Sequence, residues 1–201
     1  MLTKLKQQIQ QLLTSEARIA HKIGLTPNRT SGLGIIFALL SAVAYWKSAS
    51  DTLLLVLAVF LLLLSGFCDA LDGVLARIYG KTTVFGGFLD SLLDRYADAA
   101  VLCGIILGGF SDFFWGLAAI IGALLVSYAR ARAEAAGVKM ESVGIAERAE
   151  RIIILVVASL IALVWLDALG WSVVLLAFLT NLTVLQRAVY FYRASKKQAA
   201  D

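Results

Sequence analysis

Five aspartates recur at helical spacing within a long apolar part of the chain. They are Asp69, Asp72, Asp90, Asp94 and Asp98. The first two are three residues apart and the last three are separated by steps of four, so each group projects from one face of a helix. A charged side chain near the bilayer centre costs about 2.5–3.5 kcal/mol even on a lenient insertion scale. Carboxylates retained in such segments therefore predict a functional site.

The chemistry that these acids favour is the binding of a hard divalent cation. A short turn near Gly80 would make the two helices antiparallel neighbours, so four of the carboxylates are expected to converge. These four are Asp69, Asp72, Asp90 and Asp94. Carboxylate oxygens without histidine or thiolate ligands suit Mg²⁺ or Mn²⁺ and disfavour zinc. We therefore expect a Mg²⁺ or Mn²⁺ site with room for two ions.

Small residues and an arginine beside these acids favour a phosphate ligand. Gly73 follows Asp72 directly, and Gly86 lies one helical turn before the third aspartate, so a ligand could approach both helix backbones. Ala76 fits this interpretation, although small residues also serve the close packing of membrane helices. Arg77 lies one turn beyond Gly73, where its guanidinium would bind a diphosphate that metal ions also neutralise.

Membrane helices are the elements that must position these residues. Of 201 residues, 60% are hydrophobic, whereas soluble domains have about 45–50%. A helix needs about 20 apolar residues to cross the hydrocarbon layer. Six runs are long enough, namely 31–48, 52–78, 84–108, 113–137, 146–166 and 171–194. The predicted fold class is an all-α membrane protein with six transmembrane helices in one domain, residues 24–201.

Residues 1–23 are predicted to form an amphipathic helix ahead of this domain. Apolar side chains recur there at helical spacing: Leu2, Leu5, Ile9, Leu12, Leu13, Ala17 and Ala20. We expect a juxtamembrane helix lying in the membrane interface, and the alternative is a helix docked on the ends of the bundle. The segment lacks the apolar region and cleavage site of a signal peptide, so none is expected to be removed.

The positive charge predicts the orientation in the cell membrane. Lys and Arg residues concentrate in segments 1–30, 79–84 and 130–151 and in the tail, whereas Asp51, Asp112 and Asp167 mark the opposite side. An excess of Lys and Arg in short cytoplasmic segments predicts a multi-pass protein with both termini inside. The formal net charge of +4 is then a topology and headgroup signal, and a nucleic-acid partner is not expected.

The order of the site residues resembles the signature of a known enzyme family. The chain contains Asp69-x2-Asp72-Gly73-x2-Ala76-Arg77-x8-Gly86-x3-Asp90-x3-Asp94. Every fixed position of the CDP-alcohol phosphatidyltransferase signature is present, and the resemblance extends over most of the chain. It implies a six-helix homodimer whose active site opens to the cytoplasm. It also implies transfer of a lipid phosphate from a CDP-lipid to a small hydroxyl compound, with release of CMP.

The resemblance further implies a role for individual residues. Asp69 and Asp90 would bridge two metal ions and Asp72 would complete one coordination sphere. Asp94 would bind the other ion and act as the catalytic base. The CDP-lipid would contact Gly73, Ala76, Arg77, Thr83 and Gly86, together with Asn28, Arg29, Thr30 and Ser31. Metal ions stabilise a departing CMP while a carboxylate accepts the proton of the attacking hydroxyl, so this assignment is chemically consistent.

A narrower resemblance concerns the acceptor. It rests on Gly24-Leu25-Thr26-Pro27-Asn28, on Ser127-Tyr128-Ala129-Arg130-Ala131-Arg132-Ala133-Glu134 and on Glu147-Arg148-Ala149-Glu150-Arg151. These segments look like the branch of the family that makes phosphatidylinositol phosphate, with archaeal counterparts that act on CDP-archaeol. The acceptor in that branch is inositol phosphate. Its phosphate would bind the guanidinium groups of Arg130, Arg132, Arg148 and Arg151.

Other functions stay open at this point. The same family chemistry could use glycerol 3-phosphate, serine or free inositol, and the four arginines would then be cytoplasmic anchors. The acids could also pair with Arg77, Arg95 and other cations as structural bridges. A different class of protein, a cation channel or transporter, would use the aspartates as an ion path.

Overall fold

The computed structural model describes residues 13–140 and 143–198, and its regular structure is helical. Helix α1 covers residues 13–22. Six helices follow: α2 Pro27–Lys47, α3 Thr52–Ile78, α4 Val84–Leu107, α5 Phe113–Ala135, α6 Arg148–Ala162 and α7 Asp167–Gln198. A 3-10 turn, Ser48–Ser50, joins α2 to α3. The described residues include no strand, which confirms the prediction of an all-α fold.

Four of these helices, α2, α3, α5 and α7, are long and apolar enough to cross a membrane. Helix α4 has 24 residues but carries three aspartates and one arginine. Helix α6 has only 15 residues, or about 22 Å at 1.5 Å per residue, which is less than the ~30 Å hydrocarbon layer. Helix α4 thus differs from the other four in its charge, and helix α6 differs in its short length. The six membrane spans expected from the sequence therefore stay a prediction.

Large apolar side chains cover much of the outer surface. Phe60, Phe114 and Phe178, on three different helices, are 56%, 67% and 61% exposed. Soluble monomers rarely carry apolar patches of such extent, because water makes them costly. The surface is therefore typical of a protein surrounded by lipid.

Local side-chain and backbone features explain how α2 and α4 begin beside the acid-bearing segment. The Thr26 hydroxyl accepts a hydrogen bond from Arg29 N at 3.4 Å, and the Thr83 hydroxyl accepts one from Gly86 N at 2.9 Å. Each cap satisfies an N–H group that lacks a partner within its own helix. Between α3 and α4, Gly80 has a φ of +60°, a left-handed conformation that glycine adopts without strain. The chain thus reverses direction between the two acid-bearing helices.

The core lies where α2 packs against α3 and α4, and where α7 packs against α5 and α6. Its largest buried side chains include Tyr45, Leu75, Ile105, Leu169 and Leu176. The Tyr45 hydroxyl lies 2.8 Å from Ser159 Oγ, which gives the buried phenol a hydrogen-bond partner. Helices α2 and α4 approach so closely that a Cβ atom at Gly104 would lie 2.2 Å from Ala42 O. Helix α4 therefore packs directly against α2, in the same bundle that contains the acids.

The described part of α1 docks on α3. Its buried side chains, Leu13, Ala17 and Ala20, cluster with Leu71, Val74 and Leu75. His21 stacks on Tyr79 with ring centroids 3.7 Å apart. Ile19 and Ile23 are 62% and 72% exposed on the remaining surface. One face of α1 thus docks on the bundle, as the alternative interpretation expects. The part of the prediction that concerns residues 1–12 lies outside the described residues.

Candidate active site

Three of the predicted metal ligands come together between α3 and α4. Carboxylate oxygens of Asp69, Asp72 and Asp90, one from each residue, all lie within 4.8 Å of one another. The antiparallel α3–α4 hairpin produces this convergence, because the acids occupy facing positions on its two arms. An all-oxygen, anionic donor set of this kind fits Mg²⁺ or Mn²⁺. The residues present therefore fit the divalent metal that the sequence predicts.

Helix α2 contributes a hydroxyl to the acid cluster. Ser31 Oγ lies 2.5 Å from Asp72 Oδ2 and 3.1 Å from Pro27 O. Asp72 itself is only 5% exposed, so this hydroxyl gives a buried carboxylate a hydrogen-bond donor. Such a contact fixes the orientation of a carboxylate that would bind a metal ion.

Asp94 lies beside the three-acid group and faces arginines. Arg148 Nη1 lies 2.6 Å from Asp94 Oδ1 and 2.5 Å from Asp69 Oδ1. On the other side, Arg95 Nη1 lies 3.5 Å from Asp94 Oδ2. Arg148, the first residue of α6, therefore contacts both acid-bearing helices. The spacing of the aspartates did not indicate this arrangement.

These residues line a cleft with an empty volume of about 220 Å³. Its polar walls are formed by Ser31, Ser65, Asp69, Asp72, Asp90, Asp94 and Arg148. Apolar side chains such as Ile35 and Leu93 complete the lining. The cleft thus brings two hydroxyls, four carboxylates and one guanidinium to a single space between α2, α3, α4 and α6.

Several residues that are predicted to contact the CDP-lipid also lie close to one another. A Cβ atom at Gly73 would lie 3.2 Å from Arg77 Nη1, so the guanidinium lies over the glycine. A Cβ atom at Gly86 would lie 2.9 Å from Thr83 Oγ1 and 3.2 Å from Asn28 Oδ1. Both glycines therefore leave room for polar side chains beside the helix backbones, and the second brings α2 and α4 together.

Other members of that predicted set make local contacts. The Thr30 side chain is buried, and its hydroxyl donates to Thr26 O at 3.1 Å. Arg29 donates to Gly24 O at 3.3 Å, next to the start of α2. Ala76 is half-buried on α3. Contacts of these three residues with a lipid stay predictions.

Two of the predicted acceptor arginines lie at the start of α6, and they differ in exposure. Arg148 reaches the cleft, whereas Arg151 is only 5% exposed. Arg151 Nη1 donates to Ala146 O at 3.0 Å, and its Nη2 pairs with Asp98 Oδ2. Arg151 is thus held among protein acceptors below the cleft surface.

The other two arginines lie near the end of α5. Arg130 Nε lies 2.9 Å from Glu134 Oε1, and both side chains are 43% exposed. Arg132 is exposed on the same helix. Half-exposed guanidinium groups remain accessible to a soluble anion, which is compatible with the predicted role of this pair.

Arg187, a buried arginine on α7, lies outside the site residues predicted from the sequence. Arg187 is 2% exposed and donates to Val143 O at 2.8 Å and to Val126 O at 2.6 Å. It therefore links the end of α5 with the loop before α6, and its position inside an apolar helix was the signal available in the sequence.

Thr183, one turn before Arg187 on α7, holds the same loop. Its Oγ1 accepts hydrogen bonds from Ile145 N at 3.3 Å and from Ala146 N at 3.1 Å. Gly144 has a φ of +116°, and a Cβ atom there would lie 2.3 Å from Thr183 Cγ2. This close contact sets where the loop enters α6, and hence where Arg148 begins that helix.

The family model for CDP-alcohol phosphatidyltransferases matches residues 25–182, which include the acid cluster and the arginines of α5 and α6. The chain belongs to this family. It is therefore an enzyme of phospholipid biosynthesis, a transferase of substituted phosphate groups, and an integral membrane protein. The matched residues include all five aspartates.

Two archaeal proteins are similar to this phosphotransferase over most of its length. The archaetidylinositol phosphate synthase of Pyrococcus horikoshii is 40% identical over 197 residues, 98% of each chain. The synthase of the same name from Methanothermobacter thermautotrophicus is 40% identical over 182 residues, 89% of each chain. Both similarities cover the acid cluster and most of the remaining chain.

Solved structures agree with this similarity. The phosphatidylinositol phosphate synthase of Mycobacterium tuberculosis with CDP-DAG bound has a TM-score of 0.78 and 29% identity. The match covers 90% of this phosphotransferase and 94% of that chain. A second structure of that protein, in complex with manganese and citrate, has a TM-score of 0.77, with coverage of 90% and 88%.

Proposed function

We propose that this phosphotransferase transfers a phosphatidyl or archaetidyl group from CDP-diacylglycerol or CDP-archaeol to inositol phosphate, with release of CMP. The observation that carries the proposal is the 2.6 Å contact between Arg148 Nη1 and Asp94 Oδ1. It puts a cation suited to an acceptor phosphate next to the candidate base. The archaetidylinositol phosphate synthases at 40% identity support the choice of acceptor.

The metal would be held by the acid cluster. Asp69, Asp72, Asp90 and Asp94 would hold the metal ions. Bound Mg²⁺ or Mn²⁺ would neutralise the CDP diphosphate and stabilise the leaving CMP. The carboxylate donor set of this chain and the manganese in a structurally similar synthase support this assignment.

The side chains on α2, α3 and α4 would position the CDP-lipid. Arg77, lying over Gly73, would form paired hydrogen bonds with diphosphate oxygens. Asn28, Thr83 and Gly86 would bind another part of the CDP-lipid where α2 meets α4. The remaining proposed contacts of the CDP-lipid are Arg29, Thr30, Ser31 and Ala76. Together they would align the phosphorus atom attached to the lipid with the acceptor.

Asp94 would act as the general base. Its carboxylate would take the proton from the attacking inositol hydroxyl as that oxygen bonds to the lipid-linked phosphorus. The bond from this phosphorus to the CMP oxygen breaks, and CMP leaves with the electron pair. The acceptor phosphate would bind the guanidinium groups of Arg130, Arg132 and Arg148, with Arg148 nearest the base. Arg151, which is buried against Asp98, would contribute to this site through that ion pair.

The proposed assembly and orientation follow from the same assignment. Residues 24–201 would form a six-helix membrane domain, with residues 1–23 as a juxtamembrane helix. Both termini and the active site would face the cytoplasm, where inositol phosphate is soluble and Lys and Arg residues concentrate. A homodimer in the cell membrane is the proposed oligomeric state.

The test is CMP release by the purified enzyme with Mg²⁺ and a CDP-lipid. Inositol phosphate should support turnover, whereas inositol, glycerol 3-phosphate and serine should not. Turnover with one of these three in place of inositol phosphate would overturn the acceptor assignment and keep the family chemistry. No CMP release with any acceptor, combined with metal flux into vesicles, would instead favour a channel or transporter.

A further inference from the structure

One of the five aspartates on α3 and α4 has no assigned role. Asp98 lies one helical turn beyond Asp94 on α4, and its side chain is 15% exposed. Asp98 Oδ1 lies 3.4 Å from Arg148 Nε, and Asp98 Oδ2 pairs with Arg151 Nη2. A single carboxylate therefore joins both arginines at the start of α6 to the helix that carries the candidate base.

We propose that Asp98 is a positioning residue that orients Arg148 toward the phosphate of the acceptor. This proposal rests on the proposed function, in which Arg148 binds that phosphate. Asp98 touches neither the reacting atoms nor the proposed metal ligands in this account, and it acts only through the arginines.

The orientation argument follows from the shape of the guanidinium group. That group is planar, with donors in a fixed fork, so contacts on two of its edges determine its plane. Asp98 holds the Nε edge of Arg148, while Asp69 and Asp94 hold Nη1. Loss of the Nε contact would let the group turn about the remaining contacts. Asp98 thus determines which way the rest of the fork faces.

Arg151 has a different part in this arrangement. Its two Nη atoms are occupied by Ala146 O and by Asp98, and it is only 5% exposed. Apart from Ser65, the rest of the cavity that these charged groups line is apolar, with Leu102, Leu155 and Leu176 among its walls. Ion pairs are stronger in such low-dielectric surroundings than in water. Arg151 therefore anchors Asp98, and Asp98 in turn orients Arg148.

The competing explanation is that Asp98 only neutralises the buried Arg151. Asp98→Asn alone would not separate the two explanations, because it leaves a buried guanidinium without its counterion and the variant could fail to fold. The informative variant is Asp98→Asn combined with Arg151→Gln, which removes both charges of the pair together. Arg151→Gln alone and Asp98→Glu are the matched controls.

The full-length enzyme and each variant would be compared by CMP release, with separate KM values for inositol phosphate and for the CDP-lipid. We expect the double variant to raise the KM for inositol phosphate about tenfold or more, because a misplaced binding group weakens productive alignment. Its KM for the CDP-lipid should stay within about twofold. Arg151→Gln alone should have a smaller effect, and Asp98→Glu should keep most of the acceptor affinity that the double variant loses.

The outcomes separate the two proposals. An unchanged KM for inositol phosphate in the double variant, with a wild-type enzyme selective for inositol phosphate, would overturn the Asp98 proposal alone. Equal changes in both KM values would also overturn it, because they indicate a general structural role. A wild-type enzyme that prefers an unphosphorylated acceptor would overturn the proposed function, and the Asp98 proposal with it.

Discussion

Ser31 Oγ on α2 and Asp72 Oδ2 on α3 lie 2.5 Å apart, across an interval of 41 residues in the chain. The contact connects the helix that begins beside the proposed CDP-lipid contacts with the helix that carries two candidate metal ligands. It couples the orientation of a buried carboxylate to the packing of α2. The first prediction tests this coupling.

Ser31→Ala should raise the Mg²⁺ concentration needed for half-maximal CMP release about 10–100-fold, because groups that orient metal ligands have effects of this size. Titration of activity with Mg²⁺ measures the change. Ser41→Ala is a control on the same helix, since the Ser41 hydroxyl bonds to Ala58 O at 2.8 Å, within the core and away from the acids. An unchanged Mg²⁺ requirement in Ser31→Ala would contradict the orienting role.

Asp94→Asn should retain the fold but lower kcat at least ~100-fold, because an amide cannot accept the proton that a general base removes. Turnover is measured by CMP release, and folding by thermal unfolding of the detergent-solubilised protein. Asp69→Asn and Asp90→Asn should in addition weaken Mg²⁺ binding, measured by calorimetry. Normal turnover by Asp94→Asn would exclude Asp94 as the base.

Arg130→Ala should raise the KM for inositol phosphate about tenfold with little change in kcat, because it removes a half-exposed cation that can form charge-assisted hydrogen bonds with phosphate. Arg132→Ala should act in the same direction. Arg18→Ala, an exposed arginine on α1, controls for a general loss of positive charge. Equal KM values in Arg130→Ala, Arg132→Ala and the control would show that the α5 arginines only anchor the protein.

Gly104→Ala should destabilise the protein by about 1–3 kcal/mol, a typical effect of overpacking. Its new Cβ atom would lie 2.2 Å from Ala42 O, so α2 and α4 would have to separate. Gly87→Ala on the same helix is the control, because a Cβ atom there meets nothing within 4 Å. Chemical or thermal unfolding in one detergent compares the two. Similar stability of both variants would contradict the close approach of the helices.

Much of the site was predictable because its residues lie close together in the chain. Asp69, Asp72 and Asp90 belong to one helical hairpin, so helical periodicity and a single turn at Gly80 suffice to bring them together. The signature that contains them also indicated the family, which the match over residues 25–182 confirms. The all-α fold followed from long apolar runs, because only helices satisfy their backbone hydrogen bonds within a single segment in lipid.

The arginines at the start of α6 required the tertiary structure. Asp98 and Arg148 are 50 residues apart, and no local pattern indicates which acid a distant guanidinium will meet. The sequence by itself determined the helices, the acid-bearing hairpin and the family. Only the packing of α2, α6 and α7 decided that Ser31 contacts Asp72, that Arg148 reaches Asp94 and that Arg151 is buried against Asp98. Contacts between distant segments depend on how whole helix surfaces fit together, and spacing along one helix does not encode that fit.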